Sequence, residues 1–283
     1  MHTPLSFLNR KIIIDALQED MVEGDVTTDI LISHNLPLRK ARIIANSEGI
    51  LAGIELTKEV FRLISDKTVF KQELKDGDTF RKKDTLLELE TSPYVILKGE
   101  RVALNILQRL CGIATLTRKF VNLASPYGVK ILDTRKTTPN LRALEKYAVR
   151  IGGAFNHRYN LSSGILIKDN HIKVLGGIKK AIELAKKNAP PFSRVEVEVT
   201  TLEEVREATG LEVDVVMLDN FNLQEIKEAI NLIRSSSTKT LIEVSGGITL
   251  ENIEEIARLK PDFISVGKIT HSAPGLDISL KIL

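Results

Sequence analysis

The chain has 283 residues, 43% hydrophobic and 27% charged, and its 40 Lys and Arg against 37 Asp and Glu leave a formal charge of +3. That composition is too apolar for a disordered chain and too evenly charged for a nucleic-acid tail. No run approaches the roughly 18 to 20 apolar residues of a membrane span, and residues 1–9 lack a charged segment leading into an apolar one; the expected setting is cytoplasmic, with no membrane and no nucleic-acid partner. Cys111 is the one cysteine, which excludes an internal disulfide and a cysteine metal cluster, and a buried apolar role fits it better than a nucleophile.

In chain order, Lys11 to Glu19 reads as a short amphipathic helix, broken by the turn formers and β-branched residues of Gly24 to Asp29. Ala41 to Ala45, Gly49 to Gly53, Val69 to Glu73, Thr85 to Glu90 and Tyr94 to Lys98 are β-prone runs, with a helical segment over Leu56 to Ile64, so a small sheet domain is expected. A long helix follows, because Val102, Ile106, Leu110 and Ile113 line one face, with Glu100 and Arg101 in its first turn. Gly112 inside that pattern costs roughly 0.5 to 1 kcal/mol unless it serves close packing or a helix break.

From residue 129 the rhythm becomes strand, polar turn, helix. The strands are Val129 to Asp133, Gly164 to Lys168, Val195 to Val199, Val215 to Leu218, Thr240 to Val244 and Phe263 to Val266, several without clean alternation, as strands buried on both faces should be. Thr201 three residues before Glu204, and Asn222 three before Glu225, read as capped helix starts. Ile226, Ala229, Ile230 and Ile233 then form a stripe that packs on a sheet, and Leu141 to Arg150 reads as a further helical connection. Closure into a (β/α) barrel suits these units better than an open sheet.

Nearly every strand ends in polar residues: Asp133-Thr134-Arg135-Lys136, Lys168-Asp169-Asn170-His171, Glu196 with Glu198, Asp219-Asn220, Ser245-Gly246-Gly247 and Gly267-Lys268. In a barrel these converge on one mouth, where such folds place their chemistry. Arg135, Lys136, His157, Arg158 and Lys168, joined by Arg101, form a cationic lining suited to carboxylate or phosphate; alternatively, Arg135 and Lys168 pair with Asp133 and Asp169. Glu198 and Asp219 offer hard oxygens for Mg²⁺, although acids at strand ends also pair with lysines. Ser245-Gly246-Gly247 and Gly267 leave backbone N–H groups open to a phosphate.

These residues fall in ordered blocks: Gly24-Asp25-Val26-Thr27-Thr28, Glu100-Arg101-Val102-Ala103-Leu104-Asn105, Asp133-Thr134-Arg135-Lys136-Thr137, Asn156-His157-Arg158, Lys168-Asp169-Asn170-His171, Glu196-Val197-Glu198-Val199, Leu218-Asp219-Asn220, Ser245-Gly246-Gly247 and Thr270-His271-Ser272. Over nearly its full length the chain resembles the quinolinate phosphoribosyltransferase family. The resemblance implies an α/β fold: an N-terminal α/β sandwich domain over 1–112 plus a C-terminal incomplete (β/α) barrel over 113–271, with the tail 272–283 packing back on the first domain. It implies a glycosyltransferase of the pentosyl class that joins quinolinate and 5-phosphoribosyl 1-diphosphate to give nicotinate mononucleotide, diphosphate and CO₂, with Mg²⁺ as cofactor. It further implies a homodimer with shared active sites, assembled in some members into a trimer of dimers.

Carried onto this chain, Arg101, Thr134, Arg135, His157, Arg158 and Lys168 meet the substrate, Arg101 by reaching the partner's barrel. Lys136, Lys168, Glu198 and Asp219 form the catalytic group, the two acids holding Mg²⁺ directly or through water or diphosphate. Ser245, Gly246, Gly247, Val266, Gly267 and Lys268, with His271 nearby, receive the 5-phosphate. The chain departs from the family at Cys111, Asn140 and Lys268, none of which removes a charge the reaction needs. The alternatives are a nicotinate phosphoribosyltransferase, a paralogue associated with molybdenum transport, or a non-catalytic sensor of a phosphorylated metabolite; the full cationic group favours the diacid.

Overall fold

The computed structural model describes residues 7–33, 36–71, 74–236 and 239–283. In chain order the elements are α1 (Phe7–Asp20), α2 (Val26–Leu31), β1 (Arg39–Ala45), β2 (Gly49–Ile50), α3 (Ile54–Ile64), β3 (Val69–Lys71), β4 (Thr79–Phe80), β5 (Thr85–Thr91) and α4 (Pro93–Ala124). Then come β6 (Lys130–Leu132), α5 (Arg142–Ile151), β7 (Ile165–Ile167), α6 (Asp169–Leu175), α7 (Ile178–Asn188), β8 (Val195–Val199), α8 (Leu202–Gly210) and β9 (Val215–Asp219). The last are α9 (Leu223–Ser236), β10 (Leu241–Ser245), α10 (Ile253–Arg258), β11 (Phe263–Ser265), α11 (Lys268–His271) and β12 (Ile278–Ile282). Among the described residues, no helix is long and apolar enough to cross a membrane. The chain divides into two compact units.

The first unit takes residues up to 118, 137–153 and 269–283. Its main sheet has the order β12-β1-β5-β3, with β2 and β4 pairing separately. In β1 the side chains of Ala41, Ile43 and Ala45 are buried at every second position, the period of a half-buried strand. C-terminal β12 lies antiparallel on β1, with Ile43 opposite Leu280.

Two local readings change here. Gly24 to Asp29 is not all turn: Asp25 caps a helix by accepting the Thr28 N–H at 3.0 Å, and α2 begins at Val26. Tyr94 to Lys98 is not a strand but the start of α4, which opens on Pro93, a favoured first helical residue. Its β-prone residues serve the helix's buried stripe, Val95 and Ile96 continuing to Val102 and Ala103, so Glu100 and Arg101 lie in the third turn. Gly112 leaves α4 unbroken and serves close packing, since a Cβ there would lie 2.0 Å from the Pro274 carbonyl oxygen.

The division between the compact units follows packing across the chain. It falls at Arg118, inside α4, and α5 joins the first unit. The cause is long-range pairing. Arg109 Nη2 donates to the fully buried Glu145 at 2.8 Å, and the same guanidinium donates to the carbonyls of Thr270 and Ala273 at 2.5 and 2.8 Å. Tyr147 donates to Asp76 as well.

The second unit is a sheet of six parallel strands, β6-β11-β10-β9-β8-β7. Its edge strands are consecutive in the chain, the cyclic order of a barrel, yet they do not pair. Among the described residues Phe155 alone bridges from β6, its N–H donating to Ile131 O at 2.9 Å, so the barrel is incomplete. All of β8 is buried and so is β9 up to Leu218. In Val195-Glu196-Val197-Glu198-Val199 the pleat sends the valines to one face and the two glutamates to the other, toward the barrel interior. The Asn222 side chain accepts the Glu225 N–H and Glu225 returns the bond to the Asn222 N–H, starting α9 with a reciprocal capping box.

Candidate active site

A cavity of about 320 Å³ opens where the strands of the second unit end. The segment after β6 contributes Asp133, Thr134, Arg135 and Lys136; the segment before β7 contributes His157 and Arg158; β7 and its end give Leu166 and Lys168. Opposite stand Glu198 of β8, Met217, Asp219 and Asn220 of β9 and its turn, Glu243 to Gly247 in part from β10, and Ser265 of β11. Register explains the convergence: Glu198 and Glu243 both pair with Met217 from opposite sides, and Ser245 pairs with Asp219. Alternating side chains of these three strands therefore share one face.

The cavity carries both kinds of charge. Burial, and after it the neighbouring Arg135, lowers the pKa of Arg158, while Glu196 opposes the shift. Two guanidiniums held in mutual repulsion form a site prepared for an anion. Lys168 pairs with Glu198 rather than with Asp169, so one of the acids read as a metal ligand also makes the lysine pairing left open above. Asp133 Oδ1 accepts the His157 backbone N–H at 2.8 Å and its Oδ2 accepts Asn156 Nδ2 at 2.7 Å.

Beneath these groups lies a buried acidic pair. His157 Nε2 stands 2.9 Å from Glu196 Oε2 and 3.8 Å from Glu243 Oε2, an arrangement that can hold a divalent metal. Burial pushes the Glu243 carboxyl up to about 8, the Glu196 carboxylate adds to the rise, and His157 opposes it. The turn after β10 is built on two left-handed glycines, Gly246 at φ 88° and Gly247 at φ 63°. At Gly246 a Cβ would meet Asn220 Oδ1 at 2.3 Å, so only glycine lets this turn lie against the end of β9.

Residues 25–111 match the model of the quinolinate phosphoribosyl transferase N-terminal domain, and 113–281 match that of the C-terminal domain. The chain belongs to the quinolinate phosphoribosyltransferase family. A probable carboxylating nicotinate-nucleotide pyrophosphorylase of Bacillus subtilis is 42% identical over 96% of this chain and 93% of its own. Among solved structures, NadC from Streptococcus pyogenes is 42% identical with a TM-score of 0.92, covering 99% of both chains. The nicotinate-nucleotide pyrophosphorylase from Ehrlichia chaffeensis is 38% identical with a TM-score of 0.93, covering 100% of both.

In this member of the family the cavity gathers Thr134, Arg135, Lys136, His157, Arg158, Lys168, Glu198, Asp219, Ser245, Gly246 and Gly247 from the residues read in the sequence. It does not gather Arg101, Val266, Gly267, Lys268 or His271. Arg101 is exposed on α4 in the first unit. Val266 is buried, its N–H donating to Leu132 O at 2.9 Å; Lys268 is exposed at the start of α11, and His271 Nδ1 lies 2.6 Å from Ser272 Oγ. Asp133 and Asn220, read as strand-end residues, also line it, Glu196 lies beside His157, and the structure adds Glu243. The signal for Glu243 was a lone acid between Ile242 and Val244 inside an apolar strand, where a charge is costly unless it faces a site. His171 in the Lys168 block serves as a cap, its Nδ1 accepting the Lys168 N–H at 2.9 Å.

Proposed function

We propose that this protein transfers the phosphoribosyl group of 5-phosphoribosyl 1-diphosphate to the ring nitrogen of quinolinate, with release of diphosphate and CO₂ to give nicotinate mononucleotide. The observation that carries the reading is the single cavity in which paired guanidiniums and lysines face two strand-end carboxylates and a glycine turn. Membership of the family fixes the reaction class.

Quinolinate is a dianion, and Arg135, Arg158, Lys168 and His157 supply the donors its two carboxylates need. Their positions after β6 and around the start of β7 hold the ring still while Lys136 meets the phosphorylated sugar. Positive charge developing on the ribose as diphosphate departs is met by Glu198 and Asp219, while the cations stabilise the departing anion. The glycine turn offers its N–H groups to the 5-phosphate. Once the ring nitrogen is alkylated it is cationic; as CO₂ departs, the electron pair of the broken bond stays on ring carbon 2 as an ylide stabilised by that charge, and a proton taken up there from water completes nicotinate mononucleotide. No covalent nucleophile is used: burial pushes the Cys111 thiol up to about 12, and its Sγ lies against the backbone of Ala52.

Glu198 and Asp219 fit Mg²⁺ through the chemistry of their donors, hard carboxylate oxygens at the ends of adjacent strands. When bound, Mg²⁺ supplies charge neutralisation to the diphosphate. Arg101, exposed and outside the cavity, is assigned to the site of a second copy of the chain, which makes the active unit a homodimer.

The test is to mix the purified protein with quinolinate, 5-phosphoribosyl 1-diphosphate and Mg²⁺ and to follow CO₂ and nicotinate mononucleotide together, with nicotinate as the parallel substrate. Equal formation of both products from quinolinate alone is the expected result. Turnover of nicotinate without quinolinate turnover would overturn the diacid assignment.

A further inference from the structure

His157, Glu196 and Glu243 each present one ligand atom, and these atoms all lie within 4.8 Å of one another. An ion held by bonds of roughly 2.0 to 2.2 Å in a tetrahedral site separates its donors by about 3.4 Å. The two distances from His157 Nε2, 2.9 Å to Glu196 and 3.8 Å to Glu243, bracket that edge. A separate observation points the same way. Glu196 Oε1, Glu243 Oε1 and Ser265 Oγ are buried without a hydrogen-bond partner, on residues that are 9%, 1% and 4% exposed. A buried polar atom left unmet costs free energy, and a divalent cation taking the place of the Glu243 proton gives these oxygens a partner.

We propose that His157, Glu196 and Glu243 form a binding site for a divalent transition metal, Zn²⁺, Mn²⁺ or Fe²⁺, separate from the Glu198 and Asp219 pair. One imidazole with two carboxylates is a donor set these ions accept, whereas Mg²⁺ favours oxygen donors and keeps most of its waters. The ligands sit on rigid parts: Glu196 on β8, Glu243 on β10, and His157 held through its backbone N–H by Asp133. His157 and Glu243 also line the cavity, which leaves the ion a route in and a face open to a further ligand.

The chelator-stripped full chain is titrated with Co²⁺ alone, read by visible absorption and by bound metal after dialysis. The expected result is uptake of one Co²⁺ per chain with the stronger absorption of a low-coordinate site, unmoved by excess Mg²⁺. Glu196→Gln and Glu243→Gln each weaken uptake by at least about tenfold, while Glu198→Gln leaves it unchanged. Co²⁺ also raises the thermal midpoint of the unmodified chain, a readout that needs no variant to fold. Absence of both uptake and thermal shift overturns the site, as does uptake indifferent to Glu196→Gln and Glu243→Gln or displaced by Mg²⁺. No substrate enters these measurements, so their failure leaves the transferase reading untouched.

Discussion

The carboxylate of Asp133 holds the backbone of His157: Oδ1 accepts its N–H at 2.8 Å while Oδ2 takes the side chain of Asn156 at 2.7 Å. Asp133 itself is fully buried at the end of β6. One side chain thus sets the path of the segment that carries both His157 and Arg158 into the cavity. Asp133→Ala leaves donors unmet and is expected to cost about 1.5 to 3 kcal/mol, read by urea unfolding, and to raise KM for quinolinate. Asp133→Asn keeps one acceptor for the His157 N–H and should cost less. Equal losses in the two variants would show that the carboxyl's charge, and not its acceptor geometry, matters.

Arg135 and Arg158 form the repelling pair that an anion would relieve. Arg135→Ala is expected to lower kcat/KM for quinolinate by about a hundredfold or more. Near-normal kcat/KM in a folded variant would remove Arg135 from substrate binding.

How much of this was legible beforehand follows from where each signal lies. The barrel strands were readable because Val195 to Val199 or Val215 to Leu218 carry apolar residues through to a polar end, a local pattern. Glu243 was not, because it lies inside its strand and acquires meaning only when β10 is placed beside β9 and β8. The place of α5 was equally hidden, since the Arg109 to Glu145 bond that anchors it spans 36 residues and no window of sequence contains it. At Tyr94 to Lys98 local β propensity was simply outweighed by the helical burial stripe.

The raised Glu243 pKa makes a stability prediction for the metal-free chain. The ordinary value is 4.5 and the folded value is about 8, so between them the folded state keeps a proton that the unfolded state has lost. Stability must therefore fall as pH rises through that window and be fullest below it. Glu243→Gln keeps the shape without the titration, and its stability curve should be flatter from pH 5 to about 8. Parallel curves for the two proteins would show that Glu243 is not the group responsible.

At Gly246 two penalties coincide, φ 88° and a Cβ only 2.7 Å from the Asn220 backbone nitrogen, whereas at Gly247, φ 63°, a Cβ meets nothing within 4 Å. Gly246→Ala should thus cost more than the roughly 1 to 3 kcal/mol of backbone strain expected for Gly247→Ala alone. Because the turn faces the proposed 5-phosphate, KM for 5-phosphoribosyl 1-diphosphate should rise more than KM for quinolinate in both. A rise confined to quinolinate would move the phosphate elsewhere.

Arg101 supplies the sharpest test of a shared site, because it is exposed and does not line the cavity of its own second unit. If it serves a partner, Arg101→Ala and Lys136→Ala are each inactive, yet their heterodimer contains one site with an intact Arg101 and an intact Lys136. Unfolding and refolding the two variants together in equal amounts should return roughly a quarter of wild-type activity, since half of the dimers are mixed and half of their sites are complete. Each variant treated alone should stay inactive. Recovery absent from a mixture shown to contain heterodimers would place Arg101 in the site of its own chain or outside the reaction.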